Sequence, residues 1–173
     1  MAKTFYEEIP NEQIMTALAN KENAPQADGQ DIRLHILMRK ITTDFETLLE
    51  EFFNQWGITT SRFVILNMLY HAENGMTPTE TAKRVGVTNA TISAILSGLK
   101  ESGLTQSVQN AGDSRSYRVQ LSEAGLELLK KIHPAYQENI NKVWSHFNTE
   151  EKTQMSHLMT RFSQVMGVLG TKF

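Results

Sequence analysis

Over long stretches of this chain, apolar residues recur at intervals of three and four, a spacing that predicts helices. From Asp31 onward, Leu34, Leu37, Ile41, Phe45, Leu48 and Phe52 form the stripe of an amphipathic helix ending near Gln55, with Gly57 just beyond it as a stop signal. A second helix, roughly Thr60 to His71, carries Phe63, Val64, Leu66, Leu69 and Tyr70. Ser122 caps a further long helix with Leu129, Ile132, Tyr136, Ile140, Val143 and Phe147 on one stripe. Pro134 lies inside it and predicts a kink or split near His133, because proline removes a helical N–H and crowds the preceding turn. Asn148 and Glu151 form a capping pair ahead of a last helix bearing Met155, Leu158, Met159, Phe162, Val165, Met166 and Leu169. Residues 1–30 are polar and turn-rich, with Pro10, Pro25 and Gly29 and a short helix around Ile14, Ala17 and Leu18.

Between the long helices the local signals are sharper. In Thr77-Pro78-Thr79-Glu80, the threonine accepts a bond from an orphan helix amide and the proline sits where no N–H is needed. Glu80 returns a bond to the cap, and Gly86 ends this short helix. Thr88 starts the next, whose apolar face is Ile92, Ile95, Leu96 and Leu99, and Gly103 closes it. Then the period shifts. Leu104 to Val108 and Tyr117 to Leu121 read as strands around a turn, Gln109-Asn110-Ala111-Gly112-Asp113.

Two short helices joined by Val85-Gly86-Val87 and followed by a hairpin make a winged helix-turn-helix. The predicted fold class is therefore mainly α with a small β-hairpin wing, flanked by long N- and C-terminal helices. The second helix of such a unit enters the major groove of DNA by its N-terminal end. Here that end is Thr88, Asn89, Ala90, Thr91 and Ser93, small and polar residues that let the backbone approach closely. Asn89 suits a bidentate bond to adenine, Thr91 offers a hydroxyl and a methyl to base edges, and the helix N-terminus favours a phosphate.

Charge and composition sharpen this only a little. The formal net charge is −2. Residues 59–120 hold six bases against four acids, a balance of +2, so a mildly basic middle lies between acidic flanks. The absence of cysteine excludes disulfides, cysteine-based zinc sites and thiol nucleophiles. There is no apolar run of transmembrane length, and the N-terminus carries no secretion-signal pattern, so a cytoplasmic protein with no membrane partner is expected.

The stretch from Trp56 to Gly125 resembles the MarR family of transcription regulators. The matching segments are Gly57 to Leu66, Met76 to Ala82, Val87 to Ser93, Glu101-Ser102-Gly103-Leu104, Asp113-Ser114-Arg115-Ser116 and Val119 to Gly125. The most specific is the Asp-x-Arg of the wing, eight residues before Leu121-Ser122. With the flanking helices the resemblance covers about residues 31–170 and leaves 1–30 as an unexplained extension. It implies a homodimer in which the helices of 31–56 and 122–173 interleave, while 57–121 forms the DNA-binding unit. Helices at 31–55 and 149–169 are also too long and apolar for so small a unit to cover alone.

By the resemblance, Arg115 reaches into the minor groove from the wing tip, with Asp113 holding its side chain. Ser116, Arg118, Arg62 and Arg84 are candidates for phosphate contacts. The chain departs from the family at Ala94 and Gly98, where arginine or lysine is common, and at Ser107 and Val108 in the first wing strand. The family also implies a pocket for a small phenolic or anionic effector where the long helices meet the winged unit. Here that junction is expected at His35, Met38, Arg39, Thr42, Phe63, Asn67 and Tyr70. The histidines at 35, 71, 133, 146 and 157 form no i,i+4 pair, so no metal and no cofactor is expected. No phosphate loop, metal motif or nucleophile elbow marks an enzyme. The expected function is a DNA-binding transcription regulator, a repressor on a palindromic operator with effector-tuned affinity. The rival is a winged-helix protein-interaction module.

Overall fold

The computed structural model describes residues 9–21, 28–110 and 113–169; of residues 18, 19, 21, 110, 113–116 and 169 it describes the backbone alone. Among the described residues, seven helices and one hairpin follow in the order α1 (Glu12–Lys21), α2 (Gly29–Asn54), α3 (Thr60–Tyr70), α4 (Pro78–Val85), α5 (Asn89–Glu101), β1 (Thr105–Asn110), β2 (Asp113–Leu121), α6 (Glu123–Trp144) and α7 (Thr149–Leu169).

The helices begin where short polar side chains can satisfy orphan amides. Thr59 accepts from the Arg62 N–H, Thr88 from Thr91 and Ser122 from Gly125. At α4 the capping box is complete, with Glu80 N–H donating to Thr77 Oγ1 at 3.2 Å and Thr77 N–H to Glu80 Oε2 at 2.8 Å. Asn148 and Glu151 repeat the arrangement ahead of α7. Gly86 turns the chain from α4 to α5 at φ 78°, a conformation that a β-carbon disfavours.

The hairpin is antiparallel and pairs Thr105 with Leu121 through Gln109 with Tyr117, with an irregularity at Gln109/Asn110. Both strands run further than the turn residues suggest. Ladder bonding carries them to Asn110 and from Asp113, so only 111 and 112 remain between them, outside the described residues. Met76 adds a one-residue bridge to Val119, with reciprocal backbone bonds of 2.9 and 2.8 Å. That bridge ties the wing to the start of the helix-turn-helix.

One core lies beneath all of this. Ile65, Leu66 and Leu69 of α3, Ile92, Leu96 and Leu99 of α5, and Val119 of β2 are buried together with Phe53 of α2 and Leu129 and Ile132 of α6. The core therefore crosses the borders of 57–121. The last turns of α2 and the first half of α6 are built into the winged unit. Aromatic rings lock this junction: Phe53 stacks on Phe63 at 4.3 Å between centroids, and Tyr136 packs on Phe52, Phe53 and Phe63. This packing explains why Pro134 does not split α6, one of the two outcomes that the sequence predicts. Leu129 and Ile132 before the proline and Tyr136 after it are all anchored to one core, so the missing backbone bond does not release either half.

Beyond the core, the chain leaves apolar surface uncovered. Leu34, Met38, Ile41, Phe45 and Leu48 of α2 are exposed, at spacings of four, three, four and three. Every residue of α7 from Thr149 to Val168 is exposed except Met155, which is half-buried. The extension forms α1, which packs on α2 with Met15 buried. Gly29 permits this approach: a β-carbon there would fall on Thr16 Oγ1 and the Glu12 carbonyl.

Candidate nucleic-acid interface

The N-terminal turn of α5 stands clear of the body. Thr88, Asn89, Ala90, Thr91 and Ser93 are all exposed, while Ile92, Leu96 and Leu99 fix the opposite face in the core. A rigid helix thus presents a polar, uncharged end. Thr91 is held by Thr88, whose Oγ1 accepts from the Thr91 N–H at 3.2 Å and lies 2.9 Å from the Thr91 hydroxyl. Asn89 and Ser93 face solvent beside them, and the Asn89 amide carries the donor and acceptor that a bidentate bond to adenine needs.

The cations take up different stations. Arg84 lies exposed in the last turn of α4, with Nη1 3.9 Å from Met76 Sδ. Arg62, in the first turn of α3, lays its guanidinium against Gly98 of α5. Arg118 is engaged within the chain. Its Nε donates to the Asn74 carbonyl at 3.0 Å, and its Nη2 to the Gly75 carbonyl at 2.9 Å and to Glu80 Oε2 at 3.2 Å. The sequence places it among the phosphate contacts; in the folded chain it straps β2 to the loop before α4. Asp113, Arg115 and Ser116 lie on the backbone of β2, and their side chains fall outside the described residues.

Glu80 is the electrostatic hinge of this corner. The Thr77 backbone N–H that it accepts holds its carboxyl below the usual glutamate value of 4.5, with the Thr77 hydroxyl and the charges of Arg118 and Arg84 acting in the same direction. One carboxylate thereby completes a helix cap and anchors the wing arginine.

The seven residues expected around an effector lie on α2 and α3. Phe63 is buried in the aromatic core, and Asn67 Oδ1 lies 3.0 Å from His133 Nε2. Tyr70 sits edge-on to His71 and His133. His35, Met38, Arg39 and Thr42 lie further up α2, where the Thr42 hydroxyl bonds its own helix at the Met38 carbonyl. One cavity lies toward the other end of α2. About 580 Å³ opens between the second half of α2 and α6, lined by Phe45, Leu48, Phe52 and Trp56 on one side and by Tyr136 and Trp144 on the other. Among the described residues, no three His, Asp or Glu side chains are grouped to hold a metal ion, and no helix is long and apolar enough to cross a membrane.

A short helix, a glycine turn, an exposed polar helix and a hairpin bridged to the first of these define a winged helix-turn-helix protein. Residues 58–117 match the model of the MarR family. Over that stretch, about a third of the chain, it is similar to the MarR family, and its relatives match over lengths greater than the winged unit. The HTH-type transcriptional repressor YetL of Bacillus subtilis is 29% identical over 132 residues, 76% of this chain and 79% of the relative. The HTH-type transcriptional regulator PecS of Dickeya dadantii is 23% identical over 143 residues, 82% of this chain and 86% of the relative. Among solved structures, a Staphylococcus aureus MepR–DNA complex is 25% identical and superposes with a TM-score of 0.69, covering 75% of this chain and 95% of that one. An Escherichia coli MarR mutant complexed with operator DNA, 22% identical, shares the fold with a TM-score of 0.68, covering 77% of this chain and 95% of its own.

Proposed function

We propose that this chain is a DNA-binding transcription regulator that acts as a homodimer on a two-fold symmetric site. The observation that carries the reading is the N-terminal turn of α5: five small or polar residues, exposed, on a helix fixed from behind by a continuous core. Relatives named as transcriptional repressors and regulators, and neighbours solved on DNA, support it. The dimer is supported by the uncovered stripes of α2 and α7. An isolated α7 with no buried residue is not a stable helix in water, whereas two chains interleaving α2 and α7 cover both stripes.

The test is enrichment from a pool of duplexes with a randomised centre. The expected outcome is a two-fold symmetric motif whose half-sites lie about one helical turn, or a multiple of it, apart. Enrichment of no sequence, together with no binding to the starting pool, would leave the winged unit as a protein-interaction module. The specific observation favouring that rival is the uncharged recognition helix, which holds no Lys or Arg from Thr88 to Leu99.

The regulatory half of the proposal is a small phenolic or anionic effector, housed between α2 and α6 at the edge of the dimer seam, where Phe45 and Leu48 belong to both. These helices join the winged core to the uncovered stripes, so a ligand between them alters how the two α5 helices are spaced. Both tryptophans of the chain, Trp56 and Trp144, line this cavity, which makes its filling visible. Titration with small phenols and carboxylates is expected to quench intrinsic fluorescence saturably and to release DNA over the same concentrations. Release of DNA with both tryptophans silent places the effector elsewhere.

A further inference from the structure

The recognition helix lacks cations along most of its length, yet one is seated on it. An ideal β-carbon built on Gly98 would lie 2.5 Å from Arg62 Nη2, 3.5 Å from Cζ and 3.8 Å from Nε. The guanidinium of α3 therefore occupies the space that a side chain at position 98 would take. Gly98 stands in the last turn of α5, four residues after Ala94 and seven after Thr91, on the side of the helix that continues from the exposed N-terminal end. Among the described residues Arg62 makes no ion pair, and its backbone N–H is committed to Thr59 while its side chain is not. The nearest acid along α5 is Glu101, whose Oε1 accepts from the Ser97 hydroxyl at 3.3 Å. The Gly98 carbonyl is taken by the Ser102 N–H at 3.1 Å and the Ser102 hydroxyl at 2.7 Å.

A glycine within a helix costs about 1 kcal/mol relative to alanine. Space alone does not require it here, because the atoms in the way belong to the free end of a flexible side chain. Two features favour the guanidinium in this place. The C-terminal half of a helix carries the negative end of its dipole. The arginine stem also covers α5, and the residue as a whole stays half-exposed, with its charged head within reach of solvent.

We infer that Gly98 is the seat of the Arg62 guanidinium, and that the pair supplies the recognition helix with a phosphate-binding cation beside Lys100, where its own sequence has none from Thr88 to Leu99. A helix lying in the major groove passes near a phosphate strand at its far end, and Arg62 delivers there a planar donor fork suited to phosphate oxygens. This inference rests on the DNA-binding reading and adds to it a division of labour. Uncharged groups at the start of α5 meet bases, and a charge borrowed from α3 meets the backbone.

Three variants of the full chain test it: Gly98→Ala, Arg62→Ala and the double variant. Each is titrated against a mixed-sequence duplex pool and the sequences enriched from it, at several salt concentrations, with its melting temperature measured in parallel. Gly98→Ala is expected to raise Tm by about 2–4 °C, since alanine is the better helix former. It is also expected to weaken DNA binding about tenfold and to flatten the log–log salt slope by about 2, because each subunit of a dimer then leaves one more phosphate unneutralised. Arg62→Ala should give the same weakening and the same flattening without the gain in Tm. The double variant should be no weaker than either single one, because both act on the same guanidinium. A parent that binds duplex DNA while Gly98→Ala binds equally well overturns the inference alone, as do effects that add in the double variant. A parent that binds no duplex at all overturns the DNA-binding reading, and this inference with it.

Discussion

Arg118 and Arg115 stand three residues apart on β2, and their expected roles are opposite. The Arg118 guanidinium is spent on the Asn74 and Gly75 carbonyls and on Glu80, so it holds the wing against the helix-turn-helix. Arg118→Met is expected to cost about 1–3 kcal/mol of stability, the range for hydrogen bonds to a charged group, and to leave the salt slope of DNA binding unchanged. Arg115→Ala should do the reverse: a loss of about 1–3 kcal/mol in DNA binding, with the thermal melt nearly unchanged. Parallel melts and titrations separate the two, and a melt lowered equally by both would contradict the assignment. Glu80 adds a pH dependence. Its carboxyl titrates below the ordinary value of 4.5 in the folded chain, so the stability it contributes is present above about pH 4.5 and is lost as pH falls through the lowered folded-state value. The parent should therefore exceed Glu80→Gln in urea midpoint at pH 7, with the gap narrowing as pH falls below about 4.5. A gap that is constant across that range would mean the carboxylate is not the active group. The strap made by Arg118 is not visible in the sequence, because its partners lie 38 to 44 residues away from it.

At the scale of elements, what the sequence makes legible is what is local. Thr77 with Glu80, Asn148 with Glu151, and the glycines at 57, 86 and 103 each act within four residues of their own position, and each ends or begins a helix where expected. The turn of the hairpin is narrower than its residues suggest because ladder bonding between β1 and β2, rather than the propensity of Asn110 or Asp113, decides where a strand stops. Pro134 does not split α6, since the packing of Ile132 and Tyr136 on either side outweighs one missing helical bond. The cavity between α2 and α6 is not legible in the sequence, because side chains on separate stripes say nothing of how those helices cross. Of the apolar stripe that the sequence shows on α2, Leu34, Ile41, Phe45 and Leu48 are exposed in the folded chain, joined there by Met38 rather than Leu37. A charge placed in it should separate the copies. Phe45→Glu or Phe162→Glu is expected to halve the mass in light scattering at micromolar concentration and to lower Tm. A mass equal to one chain for the parent itself would contradict the dimer.

The proposed whole molecule is a pair of winged units joined through α2 and α7, offering DNA few charges and many uncharged donors. The net charge of −2 and the uncharged stretch from Thr88 to Leu99 set the expectation. With Arg118 occupied internally, Arg62, Lys83, Arg84, Lys100 and Arg115 remain on each winged unit. Geometry allows roughly three of these five to reach phosphate, so a dimer makes on the order of six such contacts. The most direct measurement is the affinity for an enriched duplex as a function of salt, with Asn89→Ala alongside. The account predicts a log–log slope near −5, from about 0.9 per neutralised phosphate. It also predicts that Asn89→Ala leaves this slope in place while removing preference at one symmetric pair of base positions. Binding that ignores salt, or no binding to any duplex, would contradict it.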